Sequence, residues 1–225
     1  MLDTQPNNES PKTNPLEPRW PGLLALLAVG GIAAALPVRL ALGPPWLLLA
    51  IVCVLSVPAM LTHHHSRYLT VHLVLGHLLS GVITLFMLAS LSLLVRELLA
   101  HKEPPADLLR SAGILWISNV LVFASWYWRL DAGGPHGRAS RLGHPTGAFL
   151  FPQMTAGEDH RREGDGGSWS PRFVDYLFLA FNTSTALSPT DSPVLSRWAK
   201  ALMMVQSLIS LAVIVILAGR AINIM

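Results

Sequence analysis

The sequence predicts an all-α integral membrane protein with about five transmembrane helices plus a re-entrant half-helix pore loop. Three observations carry that class. Of the 225 residues, 52% are hydrophobic and only 13% are charged, against about 25% charged in soluble domains. Several apolar runs reach or approach the roughly 20 residues that a helix needs to cross the hydrocarbon core. Finally, stretch 173–225 is built in three parts: a half-length apolar run, a polar knot and a full-length apolar run. Irregular backbone within a membrane is tolerated only where protein or a water-filled cavity covers it, so the knot is expected to face protein or water.

The elements follow in order. Residues 1–19 are polar with four prolines and are expected to be a disordered tail. Residues 20–36 form the first span, in which Gly30 and Gly31 permit close helix contact. It is broken by Gly43-Pro44-Pro45, and residues 46–61 form the second; both are short, which predicts a tight helical hairpin. Residues 70–95 are the third and longest span, and Pro104-Pro105 is a firm break before the fourth. Residues 20–107 thus make a three-helix N-terminal region, followed by a C-terminal module over 108–225. That module has a helix at 108–129, closed by the aromatic and basic run Trp126-Tyr127-Trp128-Arg129, and a polar connector at 130–171 expected to be an irregular surface loop. The half-helix and turn follow at 172–193, and the last helix at 195–225.

The knot carries a family resemblance. The string FNTSTALSPTDSP, beginning at Phe181, aligns without gaps as far as Asp191 with a pore loop of the form F-T-T-x-T-T-V-G-Y-G-D, followed by a proline. This resembles the outer helix–pore loop–inner helix module of tetrameric potassium channels, over about the last half of the chain, and is similar to bacterial multi-pass membrane proteins with such a C-terminal half. The resemblance implies a homotetramer, with Thr183, Ser184, Thr185, Ser188, Pro189, Thr190 and Asp191 along an ion pathway. Met203, Gln206, Ser207 and Ser210 would line the inner helix. The departure is chemical: Ser188 and Thr190 stand at the two glycine positions and Pro189 at the tyrosine. A potassium filter stacks backbone carbonyls, glycine permits backbone conformations that a Cβ resists, and proline fixes φ and removes an N–H. The loop is therefore a degenerate filter. What it retains is threonine and serine at the half-helix end, that helix's carbonyl end offered to a cation, and a possible ring of Asp191 carboxylates, the arrangement that attracts cations in acidic-ring channels.

Each polar feature also has a plain structural reading. Asp191 or Ser192 before Pro193 suits a helix start. Gln206 and Ser210, four apart on one face, either line a wet path or hydrogen-bond neighbouring helices, and Asn119 and Ser125 carry the same two readings. His63, His64, His65, His72 and His77 lack zinc-like spacing with any carboxylate or cysteine and read as interfacial. The single cysteine, Cys53, is expected to be a buried small hydrophobe. There is no phosphate loop, nucleophile elbow or metalloprotease helix, so no catalytic residue, metal or cofactor is expected. The basic residues are scattered beside the apolar spans, which argues for interfacial anchoring and against nucleic acid.

The reading that results is a channel-like multi-pass protein of the cell membrane, of bacterial inner-membrane type. Its partners are the lipid bilayer, further copies of itself and monovalent cations, and it gives a weakly selective cation pathway. The alternative is a non-conducting scaffold or sensor on a channel-like fold; a solute carrier or membrane enzyme is a more distant third. Orientation is contested. The N-terminus, the connector and the pore loop share one side, which holds every lysine and arginine except Arg39, Arg96, Lys102, Arg110 and Arg220. The positive-inside rule puts that side in the cytoplasm, whereas the potassium-channel resemblance puts it outside.

Overall fold

The computed structural model describes residues 20–61, 69–100, 104–139, 147–155, 162–163, 167–185 and 192–224. They are predominantly helical: α1 (Trp20–Ala33), α2 (Leu47–Leu61), α3 (Leu69–Ala100), α4 (Pro105–Leu130), α5 (Gly134–Ala139), α6 (Pro152–Thr155), α7 (Phe173–Thr185) and α8 (Arg197–Ile224). A two-residue antiparallel ladder, β1 (Arg162–Glu163) with β2 (Gly167–Ser168), is the one sheet among the described residues. The tail 1–19, His63, His64, His65 and the segment 186–191 lie outside the described residues.

Three helices, α3, α4 and α8, are long and apolar enough to cross a membrane. The helices at the first two expected spans have 14 and 15 residues. At 1.5 Å per residue they rise about 21–23 Å, short of the roughly 30 Å hydrocarbon core. The cause is in the sequence: Pro37 follows α1 and opens a 3₁₀ turn at Val38–Leu40, and Gly43 takes φ 107°, a conformation that suits glycine. The hairpin between α1 and α2 is tight at Gly30, where an added Cβ would come within 3.2 Å of the Leu49 Cα. Gly31 has open space on its side, so of the two glycines only Gly30 makes the close contact. Cys53 is also corrected: it is exposed on α2, beside the exposed Val54, and does not fill the core.

The bundle is built around α4, which packs on α1, α3, α7 and α8. Its buried positions alternate apolar residues with small ones, including Ser111, Ala112, Ser118, Ala124 and Ser125. Small residues let helices approach closely where dispersion packing, not the hydrophobic effect, drives association. Pro105 occupies the first helical position, so the diproline break also starts α4. α1 and α3 run antiparallel to α4. Gly22, at the start of α1, lies against the Trp128 ring near the end of α4, and Gly76, near the start of α3, lies against the Arg129 guanidinium. The Trp126 indole donates to Thr84 Oγ1 at 2.9 Å.

The connector departs from the expected surface loop, because its first part folds into the end of the bundle. Asp131 closes α4 and is fully buried; its carboxylate accepts the Ala148 N–H and the Tyr176 hydroxyl, the latter at 2.6 Å. Arg138 is buried beside it, donates from Nη1 to the Trp128 and Asp131 carbonyls, and lies over the Tyr176 ring. The turn needs left-handed backbone at Ala132, Gly133 and Gly134 in succession. Ala132, at φ 50°, bears a Cβ there and costs about 1–2 kcal/mol relative to a right-handed conformation. Above this polar knot, Phe149 meets Tyr127, Tyr176 and Trp198 edge-on at 5.3–6.3 Å between centroids, geometry that favours aromatic pairs.

α7 starts in this same layer. Phe173 packs edge-on against Trp128 at 5.8 Å, and the Asp175 carboxylate accepts the Arg172 N–H at 2.7 Å, capping the helix start. Thirteen residues carry α7 about 20 Å, to a last turn beside Trp116 and Asn119, halfway along α4. The chain is next described at Ser192, back in the starting layer: Val194 bridges Phe149, and Leu150 and Leu195 hydrogen-bond across that bridge. Ser196 then caps α8, its Oγ accepting the Ala199 N–H, a role the sequence suggested for Asp191 or Ser192.

Replacing Asp131 with alanine leaves the Ala148 N–H and the Tyr176 hydroxyl unpaired in a buried layer. The expected cost is about 1–3 kcal/mol of stability, with faster trypsin cleavage after Arg138. Thermal unfolding and limited trypsinolysis in detergent check this; an unchanged midpoint and an intact connector would contradict the anchoring role of Asp131.

Candidate functional site

Halfway along α4, side chains from three helices meet in a buried polar cluster. Gln206 of α8 is fully buried at its centre. Both of its amide hydrogens are used: Nε2 donates to the Ala180 carbonyl and to Ser184 Oγ, each at 2.7 Å. Its Oε1 accepts the Tyr127 hydroxyl from α4. Asn119, also fully buried, donates from Nδ2 to Ser184 Oγ at 3.4 Å and to the Gln206 carbonyl at 3.3 Å. Its Oδ1 has no hydrogen-bond partner among the described residues.

The same neighbours close the end of α7. A helix leaves its last four carbonyls without intrahelical partners, and in a dry interior each such group costs several kcal/mol. Here Thr185 Oγ1 donates to the Asn182 carbonyl at 2.9 Å, Ser207 Oγ donates to Thr183 at 3.4 Å, and both Ser210 Oγ and the Trp116 indole donate to Ser184. Three of the four carbonyls are therefore occupied by donors of this chain. The sequence expectation offered that end to a cation; the Thr183 and Ser184 carbonyls instead meet neutral hydroxyl and indole donors from α4 and α8.

The site residues read from sequence divide into three groups. Thr183, Ser184 and Thr185 form the last turn of α7, with Thr183 Oγ1 turned back to the Leu179 carbonyl at 2.8 Å. Gln206, Ser207 and Ser210 bond to α7, which is the helix-to-helix reading of their spacing, and Met203 is partly buried against the core. Ser188, Pro189, Thr190 and Asp191 lie outside the described residues. Ser125 bonds back to the Leu121 carbonyl on its own helix at 2.9 Å, whereas Asn119 reaches both α7 and α8.

Sequence reasoning did not single out Trp116, or Tyr127 beyond its place in the aromatic belt, and passed over Asp131, Arg138 and Tyr176. The one signal for Asp131 was a carboxylate directly after an aromatic helix end. Tyr176 is 45 residues away, and no spacing rule links the two. His77 pairs with the Leu73 carbonyl at 2.7 Å and lies 6.1 Å from the Trp126 ring, a packed position on α3. Among the described residues no three His, Cys, Asp or Glu side chains gather as metal ligands. No family model, no curated protein and no solved structure matches this chain.

Gln206→Leu keeps the volume but strands the Tyr127 hydroxyl and removes both donors to α7. It is expected to cost about 1–3 kcal/mol, clearly more than Met203→Leu on the same helix. Chemical denaturation in detergent micelles measures the difference, and equal stability of the two variants would show that the cluster does not hold α7.

Proposed function

We propose that this chain is a multi-pass membrane protein whose α4–α7–α8 unit carries a re-entrant polar loop, several copies of which enclose a weakly selective cation pathway in the cell membrane. The observation that carries this reading is the course of α7. It enters from the layer that holds Asp131 and Phe149, ends halfway along α4, and the chain is back in that layer at Val194. Helices α3, α4 and α8 supply full-length spans, while α1 and α2 add a short hairpin that completes the crossings where the bilayer thins locally around it. The residues of the loop, with Asp191 at its end, are hydroxyl-rich and acidic, which suits monovalent cations better than anions. The reading extends to a homotetramer, the number that the potassium-channel resemblance carries with it.

A second reading rests on a specific observation. The carbonyl end of α7 is occupied by Ser207, Ser210 and Trp116, which suits a fixed scaffold as well as a conduit. A non-conducting scaffold or sensor has the same fold and no flux.

Flux through liposomes reconstituted with the full chain separates the two. The channel reading expects potassium and sodium flux at comparable rates, strongly reduced by Asp191→Ala with assembly unchanged. Assembled protein that passes neither ion supports the scaffold.

A further inference from the structure

The excursion that α7 begins has two limbs in one layer. The entry limb is the first turns of α7, and the return limb is Pro193 to Leu195. An isolated bridge ties the return limb to the connector. The Leu150 N–H donates to the Pro193 carbonyl at 2.9 Å and the Leu195 N–H to the Ala148 carbonyl at 2.8 Å, with Phe149 and Val194 paired between them. A two-stranded pairing is marginal on its own, so the short stretch 148–150 needs a further anchor.

Asp131, at the end of α4, is that anchor, and its two carboxylate oxygens divide between the limbs. Oδ2 accepts the Tyr176 hydroxyl of the entry limb at 2.6 Å, and Oδ1 accepts the Ala148 N–H. Ala148 is therefore a relay, with its N–H on the end of α4 and its carbonyl on the return limb. Both residues are buried, so little water competes for these bonds, and a partner left unmade there keeps its full desolvation cost. The buried Phe149 ring sets the direction of the stretch by meeting Tyr127, Tyr176 and Trp198 edge-on. The far end of α7 is held separately, by Gln206 at Ala180 and Ser184.

We propose that connector segment 147–151 is a strap across the base of the α7 excursion, and that Asp131 is its latch. With the Asp131–Ala148 bond made, the return limb is fixed beside the entry limb. With it broken, strap and return limb come away together while α7 stays seated on α4 and α8. The device goes beyond the membrane reading above and does not require it. On that reading, the latch is where a change in the connector reaches the polar loop.

Hydrogen exchange of the full chain in lipid nanodiscs, read at single amides, tests this. In Asp131→Ala the Leu150 and Leu195 amides are expected to lose roughly tenfold more protection than those of α8 between Gln206 and Val213. Asp131→Asn is expected to restore them, because its amide can accept the Ala148 N–H and donate to the Tyr176 hydroxyl. Tyr176→Phe, which removes the entry-limb bond to Oδ2, is expected to leave both near wild type. Equal loss across strap, return limb and α8 would overturn the latch and leave Asp131 a residue of general stability. Leu195 protection that survives Asp131→Ala would overturn it too, and so would Tyr176→Phe freeing Leu195 as far as Asp131→Ala does. Should Asp131→Ala fail to fold, the wild-type chain decides. Under mild denaturant its Ala148, Leu150 and Leu195 amides are expected to open at one common rate, ahead of α8; separate rates would overturn the strap. None of these outcomes depends on ion flux, so failure here leaves the membrane reading to its own test.

Discussion

The C-terminal half depends on one constraint: a helix that ends inside a packed bundle must have its backbone satisfied there. α7 stops beside Asn119 and Trp116, where donors of this chain reach three of its last four carbonyls. The answer is a set of short polar side chains on the two full-length helices beside it. Ser207, Ser210 and Trp116 reach the terminal carbonyls themselves, and Gln206 ties the three helices together around them, because an amide donates twice and also accepts at a single position. It takes Ala180 and Ser184 on one side and Tyr127 on the other. Ser207 and Ser210 sit one and four residues further along α8, at the height where Thr183 and Ser184 end. Their spacing brings a neighbour that runs parallel to α7 against its last turns.

The second fixed point lies at the other end of α7. Asp131, Arg138 and Tyr176 bind the start of the connector, the end of α4 and the first turns of α7 into one buried layer, and the rings of Phe149, Tyr127 and Trp198 pack over it. Charged groups are costly inside a fold unless hydrogen bonds satisfy them, and here the carboxylate and the guanidinium each meet backbone and side-chain partners. With both ends of α7 anchored to the same two helices, its direction is set, and the chain returns beside Phe149 to start α8.

Much of this was legible in the sequence because apolar runs and prolines report helices directly. The limits of α3, α4, α7 and α8 fall within a few residues of those expected from hydropathy and from the Pro104-Pro105 break. The first two helices were legible too, but their shortness mattered more than their existence: Pro37 and Gly43 cut them below spanning length. The least legible part was the connector. Its glycine, histidine and charge suggest a surface loop, yet Asp131, Arg138 and Phe149 are core residues, because burial there is decided by a carboxylate and a tyrosine far apart in sequence. The thiol of Cys53 went the other way, since an apolar run does not say which of its faces points outward. The polar residues of α8 stand out in an apolar helix, but their direction, toward α7, required the packing of three helices to become visible.

The central claim is that α7 enters and leaves from one side of the membrane. Single cysteines at Arg172 and Pro193, placed one at a time in a Cys53→Ser background, report this through labelling of oriented vesicles with a membrane-impermeant maleimide. The account requires both positions to label from the same side. Labelling of Arg172→Cys from one side and of Pro193→Cys from the other would mean that α7 crosses, and would contradict it.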